Sequence, residues 1–128
     1  MIVVDTSVWV NAFRSADSNE ATILRSLLDA DEVILPIPVR VELLSGATRR
    51  DLARLRRALS ALPVFYPSDD TWQIIDTWIG RACPAGQQFG LGDLLIAALA
   101  RESGSLIWSL DADFARMSRL GFVDLYEP

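Results

Sequence analysis

Four carboxylates, Asp5, Glu42, Asp93 and Asp111, stand where apolar segments end or where apolar helices run, in a chain with neither His nor Lys. Acids gathered in apolar surroundings, with no imidazole or amine beside them, point to a cation held by oxygen ligands. The missing residue types exclude imidazole-bound zinc, a His-based triad and a Schiff-base lysine. Hard-cation chemistry with Mg²⁺ or Mn²⁺ is what remains. Two like charges about 4 Å apart repel by ~4 kcal/mol at an effective dielectric of about 20. Three or four converging acids therefore keep protons, or stay apart, unless a divalent ion neutralises them. Such an ion lowers the pKa of a bound water and stabilises charge on a phosphate. The expected reaction is phosphodiester hydrolysis with one or two metal ions and no side-chain nucleophile.

Each acid also has a plainer role. Asp5 closes the β-branched run Ile2-Val3-Val4 and can cap the following helix; Thr6 and Ser7 offer capping hydroxyls that would leave it free. Glu42 interrupts Val39-Arg40-Val41-Glu42-Leu43-Leu44, apolar on most sides. An acid there needs compensation, unless it is a surface Glu paired to Arg. Asp93 precedes Leu94-Leu95-Ile96-Ala97-Ala98-Leu99-Ala100, hydrophobic all round and so expected to be buried. It can cap that helix with one oxygen and bind a cation with the other. In Ser109-Leu110-Asp111-Ala112-Asp113-Phe114, Asp113 is expected to cap the last helix and Asp111 to be the ligand, with Ser109 orienting a ligand or water. Which of the two acids coordinates directly stays open.

The elements that must position these groups alternate between strand and helix. Strands are expected at Ile2–Val4, Val33–Leu35, Val64–Tyr66, Leu106–Trp108 and Phe122–Tyr126. Between them, Thr6 or Ser7 opens a helix through Phe13, and Asn19–Asp29 carries Ile23, Leu24, Leu27 and Leu28 at helical spacing. Pro38 suits the first turn of a helix through Gly46, and Asp69 or Asp70 caps one that runs to Ala82. Pro84–Gly92 is a loop, Asp93 opens a helix through Glu102, and Asp113–Leu120 is the last helix. This is a single α/β domain with a parallel sheet covered on both faces. Right-handed crossovers put all strand C-terminal ends on one edge. If the first and fourth strands are neighbours where strand order reverses, Asp5 and Asp111 meet in one crevice.

A chain of 128 residues, 51% hydrophobic, makes one domain with a real core. Its longest uncharged apolar run, Leu94–Ala100, is too short to span a membrane, and Met1–Asp5 has no signal-peptide character. With a single Cys83, a reducing cytoplasm is expected. A net charge of −5 argues against charge-driven nucleic-acid binding, though not against local contact. All twelve basic residues are Arg. Arg49, Arg50, Arg54, Arg56 and Arg57 form the one dense cluster, with Arg50, Arg54 and Arg57 at the spacing of one helix face. They are either a phosphate-contacting rim or a solvated face paired with Asp51; Arg14 and Arg40 are further candidates near the crevice. Trp9, Phe13, Trp72 and Trp78 supply core or partner surface.

With these four segments in this order, the chain resembles the PIN-domain nucleases, and among them the VapC-type toxins of bacterial toxin–antitoxin pairs. The segments are Ile2-Val3-Val4-Asp5-Thr6-Ser7-Val8-Trp9, Glu42-Leu43-Leu44-Ser45-Gly46, Gly92–Ala100 and Ser109–Phe114. The resemblance implies a Mg²⁺- or Mn²⁺-dependent endoribonuclease with Asp5, Glu42, Asp93 and Asp111 as its acidic quartet and Thr6 and Ser109 in support. It also implies a parallel sheet of order 3-2-1-4-5, a homodimer, and a cognate VapB-type antitoxin that blocks the active site in a heterotetramer or larger assembly. Ser109 stands where the family more often has Thr, and keeps the hydroxyl. The alternatives are a PIN nuclease of RNA processing without a toxin role, and a metal- or RNA-binding module without catalysis. Receiver domains and P-loop NTPases require a Lys, and haloacid-dehalogenase-type phosphatases a second Asp where Ser7 stands.

Overall fold

Ile2, Val3 and Val4 are all buried, as befits β-branched residues on a strand covered on both faces. The computed structural model describes residues 1–128. In chain order its elements are β1 (Ile2–Val4), α1 (Thr6–Arg14), α2 (Asn19–Asp29), β2 (Val33–Pro36), α3 (Ile37–Ser45), α4 (Leu52–Leu59), β3 (Val64–Phe65), α5 (Asp69–Ala82), α6 (Leu91–Glu102), β4 (Leu106–Trp108) and α7 (Ala112–Arg119). The strands pair in parallel in the order β3-β2-β1-β4. Val3 sits between Ile34 on one side and Ile107 on the other. Strand order reverses between β1 and β4, and that is where the expected crevice belongs.

The expected fifth strand is reduced to one bridge, Leu125 beside Ile107. Ile107 N–H donates to Asp124 O at 2.9 Å, and Tyr126 N–H to Ile107 O at 2.7 Å. Leu106 N–H and Trp108 O are already taken by the β1 side, bonding Met1 O and Asp5 N–H. Backbone polar groups alternate between the two edges of a strand. A three-residue strand therefore has only its middle residue to offer a neighbour on the outside. The third strand is likewise shorter than expected, ending at Phe65 with Tyr66 exposed.

Helix α6 forms the spine of the core. Ile96 to Ala100 are buried without interruption, and the helix packs on β1, β2 and β4. Small alanines let its backbone lie close to the sheet. Trp78 of α5 stacks on Phe122 with ring centres 4.6 Å apart, and the Trp9 indole N–H donates to Val4 O at 3.2 Å. These two tryptophans are core, whereas Phe13 and Trp72 are exposed. Helix α5 is capped at Ser68, whose N–H donates to Thr71 Oγ1 at 2.9 Å. The expectation of Asp69 or Asp70 was one or two residues late. No helix is long and apolar enough to cross a membrane.

Candidate active site

Asp5 directly follows β1 and Ser109 directly follows β4, and the two strands are in register, so their side chains meet. Ser109 Oγ donates to Asp5 Oδ2 at 2.8 Å, and Ser7 Oγ donates to the same oxygen at 2.7 Å. Each hydroxyl is itself fixed by the loop after β4: Leu110 N–H bonds Ser7 Oγ at 3.1 Å and Asp111 N–H bonds Ser109 Oγ at 2.9 Å. Asp5 is the N-cap of α1, through a long bond from Ser7 N–H at 3.4 Å. The capping role expected for Thr6 or Ser7 falls to Asp5 because Thr6 already has helical geometry. The carboxylate serves both purposes: Oδ2 collects the hydroxyls and the other oxygen is left for a ligand.

Asp93 is not the cap of its helix. Gly90 holds that position and Asp93 is the third helical residue, its carboxylate making no capping bond. At the last helix the cap is not the expected Asp113. Asp111 is the N-cap, accepting from Asp113 N–H at 2.9 Å, while Asp113 lies inside the first turn. Asp111, three positions after the strand, still has extended backbone, which a cap requires and a helical residue lacks. One oxygen from each of Asp93, Asp111 and Asp113 lies within 4.8 Å of the other two.

Glu42 joins from α3, which packs against α6. Its expected burial is not realised: Val39 and Leu43 face the core, whereas Val41 and Glu42 are exposed. Its carboxyl nevertheless turns to the site. A Cβ placed on Gly92 would lie 3.7 Å from Glu42 Oε1, an ordinary contact distance, which sets the acid beside the first turn of α6. Partial burial, then the Asp5 charge, push Glu42 above the ordinary carboxylate range, with Thr6 opposing. Asp93 is pushed up to about 7 by burial first, then by Asp111 and Asp5 and by a hydrogen bond with Asp113. Asp5 thus influences both neighbours, and all five acids form one electrostatic unit.

The residues fit a hard divalent cation. The cluster offers only oxygen donors, and burial together with its repelling charges keeps a proton on Asp93 up to neutral pH, a condition a cation would relieve. Thr6 Oγ1 is buried without a hydrogen-bond partner beside this cluster. It favours the ionised form of Glu42 without reaching good bonding geometry. A buried orphan hydroxyl is costly unless water or a ligand shell meets it.

None of the arginines singled out from the sequence forms an ion pair with the five acids. Arg50 lies in the turn before α4, so it does not continue the face of Arg54 and Arg57. Arg54 pairs with Asp51 at 3.3 Å on an open surface, and neither Arg14 nor Arg40 makes an ion pair with an acid. Three residues at the site were not singled out from the sequence as functional. Ser7 could have been found from its place two residues after Asp5, where a hydroxyl can turn back to the carboxylate. Gly92 and Arg116 carry no local signal, because their relevance depends on distant neighbours.

Ser109→Ala removes one of two hydroxyls from Asp5 Oδ2 and leaves Asp111 N–H without its acceptor. We expect about 1–2 kcal/mol less stability by denaturant unfolding and about tenfold weaker binding of a divalent cation, with Ser109→Thr close to wild type. Unchanged cation affinity in the alanine variant would remove Ser109 from the site.

The family model for the PIN domain matches residues 2–120, and the chain belongs to that family. It is 36% identical over 125 residues to the VapC ribonuclease Mb1587 of Mycobacterium bovis and to ribonuclease VapC11 of Mycobacterium tuberculosis, over 94% of this chain and 93% of each relative. Among solved structures, VapBC2 from Rickettsia felis, bound to a DNA fragment from its promoter, matches with a TM-score of 0.80 at 20% identity over 98% of each chain. At that identity the likeness speaks for the fold alone.

Proposed function

We propose that this chain is an endoribonuclease and the toxin of a toxin–antitoxin pair. The reading rests above all on one observation. Asp5, Glu42, Asp93, Asp111 and Asp113 converge where strand order reverses, in a PIN-domain chain 36% identical to VapC ribonucleases. Asp5, Asp93 and Asp111 would hold Mg²⁺ or Mn²⁺, with Glu42 and Asp113 contributing directly or through water. The ion, when bound, supplies Lewis-acid stabilisation of charge developing on a phosphate. The chain's own residues do the rest. Ser7 and Ser109 keep Asp5 in one orientation, and the cap at Asp111 does the same for its carboxylate. Glu42 stands apart from the three clustered aspartates with its carboxyl raised, which suits it to take a proton from the attacking water. Water adds across the phosphodiester, and the P–O bond to the departing ribose breaks to leave a hydroxyl.

The partners follow from the same reading: an RNA substrate, a VapB-type antitoxin that covers the acids, and a second copy of the chain. A single exposed, unpaired Cys83 accords with the cytoplasm. The experiment is incubation of purified, antitoxin-free protein with total cellular RNA and Mg²⁺ or Mn²⁺. Discrete fragments that vanish with EDTA are expected, and their ends identify the target. An RNA pool left intact while the protein binds Mn²⁺ would overturn the nuclease reading.

We propose that the exposed arginines of α4 contact the phosphate backbone away from the cut. Replacing Arg54 and Arg57 together by Ala should raise KM for RNA by about three- to tenfold and flatten its salt dependence while kcat holds. An unchanged KM and salt slope would return the patch to an ordinary solvated face.

A further inference from the structure

Arg116 of α7 joins the acid cluster to the segment that leads into α6. Its guanidinium donates to Asp113 Oδ1 at 2.6 Å and to Gln87 Oε1, and its carbon lies 4.6 Å from the centre of the Phe89 ring. Gln87 and Phe89 belong to the loop before Gly90, the cap of the helix that carries Asp93. This loop borders an open pocket of about 480 Å³, lined also by Trp78, Ala82 and Leu94. Phe89 packs on the core edge-on to Phe122, and the planar fork of Arg116 adds the restraint that joins the loop to the acids.

We propose that Arg116 is a positioning residue: it aims the Asp113 carboxylate at Asp93 and fastens the 84–90 loop to the cluster, so that tight divalent-cation binding depends on this tether. The inference rests on the acid-site reading above. It makes a prediction opposite in sign to simple electrostatics. A positive charge beside a cation site weakens binding through repulsion, so its removal alone should tighten it. Loss of a restraint that orients a ligand weakens binding instead, by about tenfold or more.

The test measures Mn²⁺ affinity by calorimetry, and the bound ion's paramagnetic resonance spectrum, on the full chain without RNA. Arg116→Ala should bind Mn²⁺ about tenfold more weakly and broaden the spectrum. Arg116→Lys should stay near the alanine value, because an ammonium cannot bond Asp113 and Gln87 in one plane while stacking on Phe89. Affinity in Arg116→Ala that equals or exceeds wild type, or full rescue by Lys, overturns the inference and leaves the acid-site reading standing. Wild type that binds no Mn²⁺ brings both down. If circular dichroism shows Arg116→Ala unfolded, Gln87→Ala takes its place; it cuts one anchor, and about threefold weaker binding is expected. Unchanged affinity there counts against the tether.

Discussion

Asp93→Asn should lower RNA cleavage by about a thousandfold or more and, in metal-free buffer, raise the melting temperature. Both effects have one origin. Burial first, and then the neighbouring charges, hold the Asp93 carboxyl up at about 7 in the fold against 3.8 for an unperturbed aspartate. The folded protein binds that proton more tightly than the unfolded chain does, so stability falls as pH rises from about 4 to about 7. Above that window the folded metal-free protein carries the full penalty. Asn has the same shape and no charge, and relieves it. Solvent reaches much of the carboxyl, and after that screening the gain is about 1–2 kcal/mol. Thermal unfolding with chelator present should show an advantage at pH 8 that fades towards pH 4. A variant that still cuts RNA removes Asp93 from the reaction; one no more stable than wild type at pH 8 refutes the penalty on the ionised Asp93.

Chelation should silence the wild-type enzyme completely, and added Mn²⁺ should restore it. With neither His nor Lys in the chain, no imidazole or amine can stand in for the cation. The pH dependence of reloading carries the sign of the Asp93 shift. A proton sits on this carboxyl below about 7 and must leave before the cation is held. Apparent Mn²⁺ affinity should therefore rise by up to about tenfold per pH unit between about pH 5 and pH 7, then level off. Affinity that does not change with pH across this range would mean that Asp93 is not among the ligands.

The features legible in the sequence are those that repeat along it. Ile2–Val4, Leu106–Trp108, the apolar spacing of Asn19–Asp29 and the run Leu94–Ala100 each announce one element, and each is found there. The neighbouring β1 and β4 bring Asp5 beside the Ser109–Asp113 segment, as the reversal of strand order requires. Single-position features were less legible. Asp5 rather than Thr6 or Ser7, Gly90 rather than Asp93, and Asp111 rather than Asp113 open their helices. A cap depends on which residue first leaves extended backbone, and several neighbours there have suitable side chains. Glu42 looked buried because its neighbours are apolar, yet Val41 turns outward with it. Arg116 was silent: nothing within a helical turn of it reveals Gln87 and Phe89.

The parallel pairing of β1 with β4 sets the order in which the molecule can become dangerous. A hydrogen bond from Ser109 to Asp5 joins residues 104 positions apart. Contacts of such long range form late, because the intervening chain must be organised first. A nascent chain that has emerged only as far as α6 already carries Asp5, Glu42 and Asp93. It has no β4 to form the wall of the crevice, and it lacks Ser109, Asp111 and Asp113. During synthesis the centre is therefore completed only after β4 and the segment that follows it have emerged.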